Sequence, residues 1–224
     1  MSRPLLLDLF CGAGGAAMGY HRAGFDVVGV DIKPQPHYPF EFHEGDALEW
    51  VFTSEMWLES FDVIHASPPC QAYSAMSACR PGLVDKYPML VDETRELLRA
   101  TGLPWVIENV PGSGLATATG LFGDNGLMLC GQMVGLKLYR HRHFETSGVI
   151  KQPPHPQHLT RASKAGHWKP GTIISVSGNC APIARAREAM GIDWMNRDEL
   201  SEAIPPAYTE FIGRQLLTVL EKAS

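Results

Sequence analysis

The sequence lacks the features of a secreted or membrane-inserted chain. Its five cysteines are an odd number and none forms a C-x-x-C pair, which disfavours a disulfide framework and a four-cysteine zinc site. The run of three leucines near the amino terminus is too short for a signal peptide, and no apolar run approaches the roughly 18 residues of a membrane span. A reducing cytoplasm and no membrane partner are therefore expected.

The sequence also has no excess of basic residues, no internal repeat and no low-complexity tract. With 19 Lys and Arg against 24 Asp and Glu, its net charge of -5 excludes a protein that coats DNA through a uniformly basic surface. The charge is uneven, because residues 137–169 hold seven basic residues and one acidic residue, a local +6 that leaves -11 elsewhere. The 224 residues fit one large domain or two small ones.

Short apolar runs alternate with stretches of helical spacing. The predicted strands cover residues 5–10, 25–30, 61–66 and 105–110, and the predicted helices cover 15–23, 91–100 and 208–220. This alternation predicts an α/β fold with a mostly parallel sheet. Because chemistry gathers at the carboxyl ends of parallel strands, the polar residues at those ends are the first candidates for a site.

The first candidate is the stretch Asp8–Gly15, whose glycines directly follow a predicted strand. Glycines there allow a tight turn and close approach of a ligand, and Asp31, at the end of the next strand, can accept bonds from ribose hydroxyls. No Lys-Ser/Thr follows the glycines, so this is not a phosphate-binding loop. The pattern indicates a nucleoside cofactor, and the alternative is a tight turn without a ligand.

Two further candidates lie near the carboxyl ends of the next strands. Cys70, after Pro68-Pro69, is held on a rigid turn and is a candidate nucleophile, although a free cysteine is more often a small buried residue. Glu108 is embedded in an apolar strand, where burial raises a carboxyl pKa and favours an acid role. The alternative for Glu108 is an ordinary strand-end carboxylate bonded to the backbone.

A fourth candidate is the stretch Tyr139–Phe144. Alternation along a strand places Arg140 and Arg142 on the same face, where guanidinium groups suit a base carbonyl or a phosphate. A solvated, charged edge strand is the alternative.

Taken in order, these motifs resemble those of the DNA cytosine methyltransferases that modify carbon 5. The resemblance includes Gly45-Asp46 and the closing stretch Ala203–Gly213, and it spans the chain except residues 147–171. It implies a Rossmann-like class I fold that binds S-adenosylmethionine, with helices on both faces of the sheet. The implied cofactor-binding residues are Asp8, Phe10, Cys11, Gly12, Gly14, Gly15, Asp31, Ile32, Asp46, Ala47 and Pro68.

The resemblance also implies the chemistry, in which a cytosine is flipped out of DNA into the site. The implied catalytic residues are Cys70, Gln71, Glu108, Arg140 and Arg142. Cys70 would add to carbon 6, Glu108 would bond N3 and the amino group, and Arg142 would grip the base carbonyl. Arg140 would order the site, and residues 71–88 would form a mobile loop that closes over DNA.

The sequence departs from the family pattern at several points. Leu138 stands where Gln is expected, and Ser201-Glu202 replaces Gly-Asn, although a Gly178-Asn179 pair lies earlier. A catalytic core over residues 1–146 and a returning segment over 172–224 leave only the short basic insertion 147–171 in place of a target-recognition domain. That is too short for a core of its own.

Short or relaxed sequence preference, or a separate recognition partner, is therefore expected. The basic residues expected to hold DNA phosphates are Lys151, Arg161, Lys164 and Lys169. A compact enzyme of this kind suggests a phage or prophage origin, and hence a bacterial or phage-infected cytoplasm.

Other functions remain open from sequence. The same chemistry on RNA or a free cytosine nucleotide is the nearest, followed by an inactive nucleic-acid-binding subunit, a subunit that needs a partner, and an NAD-linked oxidoreductase. A metal site at His155, His158 and His167 is disfavoured because no cysteine lies nearby in the sequence, so no metal is expected.

Overall fold

The computed structural model describes residues 2–53, 58–71, 73, 88–115, 125–176, 180 and 182–223. The predicted closing loop, residues 71–88, lies mostly outside the described residues, as does the Gly178-Asn179 pair. Among the described residues, no helix is both long and apolar enough to cross a membrane.

Strands and helices alternate through the first half of the chain. The strands are β1 (Leu5–Leu9), β2 (Asp26–Asp31), β3 (Glu41–Glu44), β4 (Val63–Ala66), β5 (Trp105–Asn109), β6 (Gly126–Leu129), β7 (Arg142–Thr146), β8 (Ala162–Lys164) and β9 (Ile173–Ser175). The helices are α1 (Gly15–Ala23), α2 (Ala47–Thr53), α3 (Val91–Ala100), α4 (Ile183–Met190), α5 (Arg197–Glu202) and α6 (Pro206–Ala223). Short 3₁₀ turns cover Gly131–Val134 and Ala165–His167.

The main sheet has the strand order β3-β2-β1-β4-β5-β7-β6. Strands β1 to β5 pair in parallel, whereas β7 runs antiparallel to both β5 and β6. The mostly parallel α/β fold predicted from the sequence is therefore confirmed. The parallel strands bring their carboxyl ends to one edge, which is the edge that carries the predicted motifs.

Helices cover both faces of the sheet, as predicted. In β1, Leu6 faces α1 and α6, whereas Leu7 and Leu9 face α2 and α3. This alternation follows the two-residue period of a strand, and each leucine is fully buried. Burial of such a side chain contributes about 1.5–3 kcal/mol, so the two apolar faces fix how β1 sits between its helices.

The last helix and the basic insertion differ in detail from the prediction. Helix α6 begins at Pro206 and ends at Ala223, because a proline fits the first helical turn and extends the helix at that end. Strand β8, inside the predicted insertion 147–171, pairs in parallel with β9, which lies beyond it. The insertion is thus joined by backbone hydrogen bonds to the segment that returns to the core.

The contact between α1 and α6 depends on Gly19. A methyl group at this position would overlap Thr209 Oγ1 and the Pro206 carbonyl oxygen, so we expect Gly19→Ala to lower the free energy of unfolding by about 1–3 kcal/mol. Chemical denaturation measures the change. Gly148→Ala is the matched control, because nothing lies within 4 Å of a Cβ at that position. Equal losses in both variants would contradict the packing argument.

Candidate active site

The glycine-rich turn after β1 is held by the carboxylate of Asp31. One oxygen of Asp31 accepts the Gly12 N–H at 3.0 Å, and the other accepts the Lys33 N–H at 3.0 Å. Gly12 has a φ of +49° and nothing within 4 Å of a Cβ, whereas a Cβ on Gly14 would lie 2.7 Å from Pro39 and one on Gly15 would overlap the Ile204 carbonyl. Gly12 therefore borders open space, and the other two glycines serve close packing.

Asp8 is a fully buried carboxyl at the floor of this turn. Tyr38 donates its hydroxyl to Asp8 Oδ2 at 3.4 Å, while Oδ1 has no hydrogen-bond partner. Burial raises the pKa of Asp8 well above its ordinary range, although the Tyr38 hydrogen bond opposes this effect. An unpartnered buried oxygen is costly.

Most of the other predicted cofactor residues lie beside the glycine-rich turn, at the start of α2 or directly after β2. Phe10 has a φ of +54°, unusual for a residue with a side chain, and the buried Cys11 donates its N–H to the Val30 carbonyl at 3.1 Å. Asp46 caps α2, because its Oδ1 accepts the Leu48 and Glu49 N–H groups at 2.9 and 3.1 Å. Ala47 is buried in the core, whereas Ile32 is exposed.

Asn109, at the end of β5, ties that strand to the turn that carries Cys70. Its side-chain amide donates to the buried Pro68 carbonyl at 2.9 Å, and its Oδ1 accepts the Val110 N–H at 2.9 Å. The ends of β4 and β5 are thereby fixed relative to one another. Gln71, next to Cys70, has a buried Oε1 without a hydrogen-bond partner.

Glu108 and Arg142 form a buried ion pair between β5 and β7. Arg142 Nε lies 2.7 Å from Glu108 Oε1, and both side chains are largely buried. The Nε–H does not point at this oxygen, so Oε1 has charge contact without a directed hydrogen bond. Burial raises the pKa of Glu108, and the charges of Arg142 and Arg140 oppose that rise.

Arg140 lies before β7, which begins at Arg142, so the prediction that both arginines share one face of a strand is wrong. Arg140 instead contacts the carboxy-terminal segment through its side chain. It donates to the Val176 carbonyl at 2.6 Å and to the Ser201 carbonyl at 2.8 Å. Burial lowers the pKa of Arg140 to about 9, with Arg142 adding to the effect, which leaves it charged near neutral pH.

The basic residues predicted to hold phosphates, Lys151, Arg161, Lys164 and Lys169, are all exposed. They are spread over the coil after β7, strand β8 and the turn before β9. The first of them is anchored through its backbone, since the Lys151 N–H donates to Gln215 Oε1 of α6 at 2.9 Å.

Two residues to which the sequence assigned no role in the site support it from outside, Trp194 having been expected only to pack in the core. His65 of β4 is fully buried between the Tyr20 hydroxyl, 3.0 Å from Nδ1, and Ser67 Oγ, 2.9 Å from Nε2. Burial lowers the pKa of His65 to about 3, so the ring is neutral. Trp194 donates its indole N–H to the Ala13 carbonyl at 2.8 Å and thereby holds the glycine-rich turn.

Cys70 is a partly buried thiol whose charge state depends on its neighbours. Burial raises the pKa of the Cys70 thiol, Glu108 raises it further, and Arg142 partly opposes both. We expect iodoacetamide to alkylate Cys70 more slowly at neutral pH than a free thiol, whose pKa is about 8.5, with a midpoint above that value. Residue-resolved mass spectrometry measures the rate. Glu108→Gln should lower the midpoint, and rapid alkylation at neutral pH would contradict the expectation.

Comparison with known proteins identifies the family. The family model of C-5 cytosine-specific DNA methylases matches residues 5–117. The chain is 35% identical over 126 residues to the type II methyltransferase M.AquIA of Picosynechococcus, covering 48% of each protein. It is 32% identical over 132 residues to M.XorII of Xanthomonas oryzae, covering 50% of this chain and 29% of that protein. The chain therefore spans half or less of the length of these relatives.

Solved structures with similar folds cover nearly the whole chain. An Escherichia coli prophage protein described as a DNA modification methyltransferase has a TM-score of 0.66 at 16% identity, covering 97% of this chain and 99% of its own. The Entamoeba histolytica methyltransferase EhMeth has a TM-score of 0.59 at 12% identity, covering 98% and 99%. These likenesses show the Rossmann-like methyltransferase fold. The match of the family model over residues 5–117, half of the chain, shows that the chain belongs to the C-5 cytosine-specific DNA methylase family.

Proposed function

We propose that this chain transfers a methyl group to carbon 5 of cytosine in DNA through a covalent intermediate on Cys70. The observation that carries the proposal is the buried Glu108–Arg142 pair, 2.7 Å apart, whose charges both act on the partly buried Cys70 thiol. These three residues come from the turn after β4, from β5 and from β7. Their meeting at the carboxyl edge of the sheet joins a nucleophile, an acid and a cation in one site.

The glycine-rich turn fits S-adenosylmethionine. Gly12 borders open space, Asp31 stands at the end of β2, and Asp8 offers a buried acceptor below the turn. Asp31 would take the ribose hydroxyls and Phe10 would pack near the adenine. S-adenosylmethionine supplies an electrophilic methyl group when it is bound. Asp46 already caps α2 through Oδ1, which leaves its other oxygen for the adenine amino group.

Cys70 makes an inert ring carbon reactive. Its thiolate adds to carbon 6 of cytosine, forming a C–S bond and an enamine that places electron density on carbon 5. After carbon 5 is alkylated, a water molecule acting as base takes the carbon-5 proton, and the electron pair of that C–H bond forms the carbon 5–carbon 6 double bond and expels the Cys70 thiolate. The enzyme recovers Cys70, and the ring recovers its double bond.

Glu108 and Arg142 control the charge during that addition. A protonated Glu108, favoured by burial, donates to N3 and offsets the negative charge that the ring gains. Protonation also removes the charge that raises the pKa of Cys70, so that Arg142 then acts on the thiol unopposed by Glu108. Arg142 holds the base carbonyl. Arg140 positions the site by fastening the residues before β7 to the segment near Ser201.

Cytosine must leave the duplex to reach this site, because carbon 5 is inaccessible inside stacked DNA. The exposed basic residues favour a polyanion, and the short insertion favours short or relaxed sequence preference, or recognition by a separate partner. Incubation with labelled S-adenosylmethionine and duplex DNA, single-stranded DNA, RNA or dCMP tests the substrate. Label in DNA supports the proposal. Label in dCMP or RNA alone would show that DNA is not the substrate, although the proposed chemistry would stand.

The basic insertion is expected to anchor DNA through phosphates. Replacing Lys151, Arg161, Lys164 and Lys169 with glutamine should weaken binding on all sequences and flatten the dependence of log K on log salt by up to about 3.6, at about 0.9 per phosphate contact. Fluorescence anisotropy over a salt series measures both effects. Replacement of the exposed Arg22 and Lys222, at the far ends of α1 and α6, is the control. Loss of binding to one DNA sequence only would show that the insertion recognises bases and does not merely anchor phosphates.

A further inference from the structure

A cysteine and three histidines meet beside the proposed cytosine site. The potential ligand atoms of Cys130, His141, His155 and His158 all lie within 4.8 Å of one another. Cys130 follows β6, His141 directly precedes β7, and the other two histidines lie in the coil between β7 and β8. The sequence-based expectation of no nearby cysteine is thus wrong in space: Cys130 Sγ lies 3.4 Å from His158 Nε2, across 28 residues of chain. His167 is not in the cluster.

Two distances in this cluster are close to those between ligands of a tetrahedral ion. With bonds of about 2.3 Å to sulfur and about 2.0–2.1 Å to nitrogen, neighbouring ligand atoms of zinc lie about 3.3–3.6 Å apart. The sulfur–nitrogen distance between Cys130 and His158 is 3.4 Å, and the Nε2 atoms of His141 and His155 are 3.2 Å apart. The remaining pairs lie within 4.8 Å and would close by about 1 Å on binding.

The cluster is also pre-oriented. Tyr139 stacks on the His158 ring with centroids 3.8 Å apart and an interplanar angle of 18°, and Cys130 is fully buried beneath it. The rings of His141, His155 and His158 are tilted against one another, with centroids 4.7–5.3 Å apart. The three rings are therefore not stacked on one another, and their potential ligand atoms lie within 4.8 Å of one another and of Cys130 Sγ.

We propose that Cys130, His141, His155 and His158 form a structural zinc site. One thiolate and three imidazoles in a tetrahedral arrangement suit zinc, and four protein ligands leave no open position for chemistry. The ion would join the coil after β7 to the ends of β6 and β7. It would thereby fix the basic insertion next to Arg142, and the site does not depend on the proposed function.

Metal analysis of the untagged full chain, purified without chelator, tests the proposal. We expect about one zinc per chain, and substitution by Co²⁺ should give the visible d–d bands of a tetrahedral site together with a thiolate charge-transfer band. Cys130→Ala and the double variant His155→Ala/His158→Ala should lose zinc. Their affinity for zinc should fall by more than the roughly 10- to 100-fold that follows loss of a residue that only hydrogen-bonds to a metal ligand. His167→Ala, in the same insertion, is the matched control and should keep its zinc.

A second measurement tests the proposal even if one of these variants fails to fold. His155 and His158 are exposed, so replacing them should leave the core folded even if the loss of buried Cys130 does not. In the unmodified chain, a chelator should increase proteolytic cleavage within residues 150–160, and added zinc should reverse this. Absence of bound zinc in the unmodified chain, equal zinc content in all variants, or cleavage that ignores the chelator would overturn the proposal.

Discussion

Replacement of Cys70 by serine is expected to lower turnover by at least about 10⁴-fold, because a hydroxyl is a far weaker nucleophile than a thiolate toward carbon 6. Cys70 lies on a turn fastened by Asn109 and not in the glycine-rich turn, so S-adenosylmethionine affinity should stay unchanged. Transfer of a labelled methyl group measures turnover, and calorimetry measures cofactor binding. Near-normal turnover by the serine variant would refute the role given to Cys70.

Trapping gives an independent readout of the same step. An oligonucleotide with 5-fluorocytosine blocks loss of the carbon-5 substituent, so the unmodified enzyme should accumulate a covalent adduct that mass spectrometry assigns to Cys70. Cys180→Ala is the matched control, since this buried cysteine packs in a separate core cluster near Met190 and should leave the adduct intact. Methylated product without any adduct, under conditions where product forms, would exclude the covalent route.

Replacement of Glu108 by glutamine should reduce turnover by about 10²- to 10⁴-fold, the usual contribution of a positioned acid. The amide keeps the size of the carboxyl but cannot give a proton to N3, and it leaves the buried Arg142 without its ionic partner. DNA affinity should change only modestly, because Glu108 is buried and, in the proposed mechanism, would meet DNA only through the flipped base. Single-turnover kinetics separate the chemical step from binding.

Glu145 provides the matched control for a lost buried carboxylate. It pairs with Arg95 at 2.7 Å and lies in β7, three residues beyond Arg142. Glu145→Gln should therefore lower stability while the turnover of each folded molecule is retained. If Glu108→Gln and Glu145→Gln lowered that turnover equally, Glu108 would be a structural residue and not the acid.

Local features of the sequence were sufficient to predict much of the secondary structure. Helices α1 (Gly15–Ala23) and α3 (Val91–Ala100) have the predicted bounds, because glycines stand at or just beyond their ends and stop them. Strand β7 begins later than predicted, at Arg142, since the hydrogen bonds of Arg140 to distant carbonyls take precedence over local alternation. Local periodicity cannot encode such long-range bonds.

The candidate site could be predicted where its residues end parallel strands. Asp8, Asp31, Cys70 and Glu108 all lie at or just after the ends of β1, β2, β4 and β5, and the parallel topology brings those ends to one edge. The support given by Trp194 to the Ala13 carbonyl spans 181 residues, and no pattern in the sequence signals it.

The sequence alone determined the order of the motifs at the strand ends. The two-residue period of strands and the 3.6-residue period of helices are local, and the alternation of the two predicts the parallel sheet. Only the tertiary structure decided which side chains share a point in space. It placed Cys130 against His158 because a coil without periodicity folds back over the end of β6, and such a path is set by packing and hydrogen bonds far along the chain.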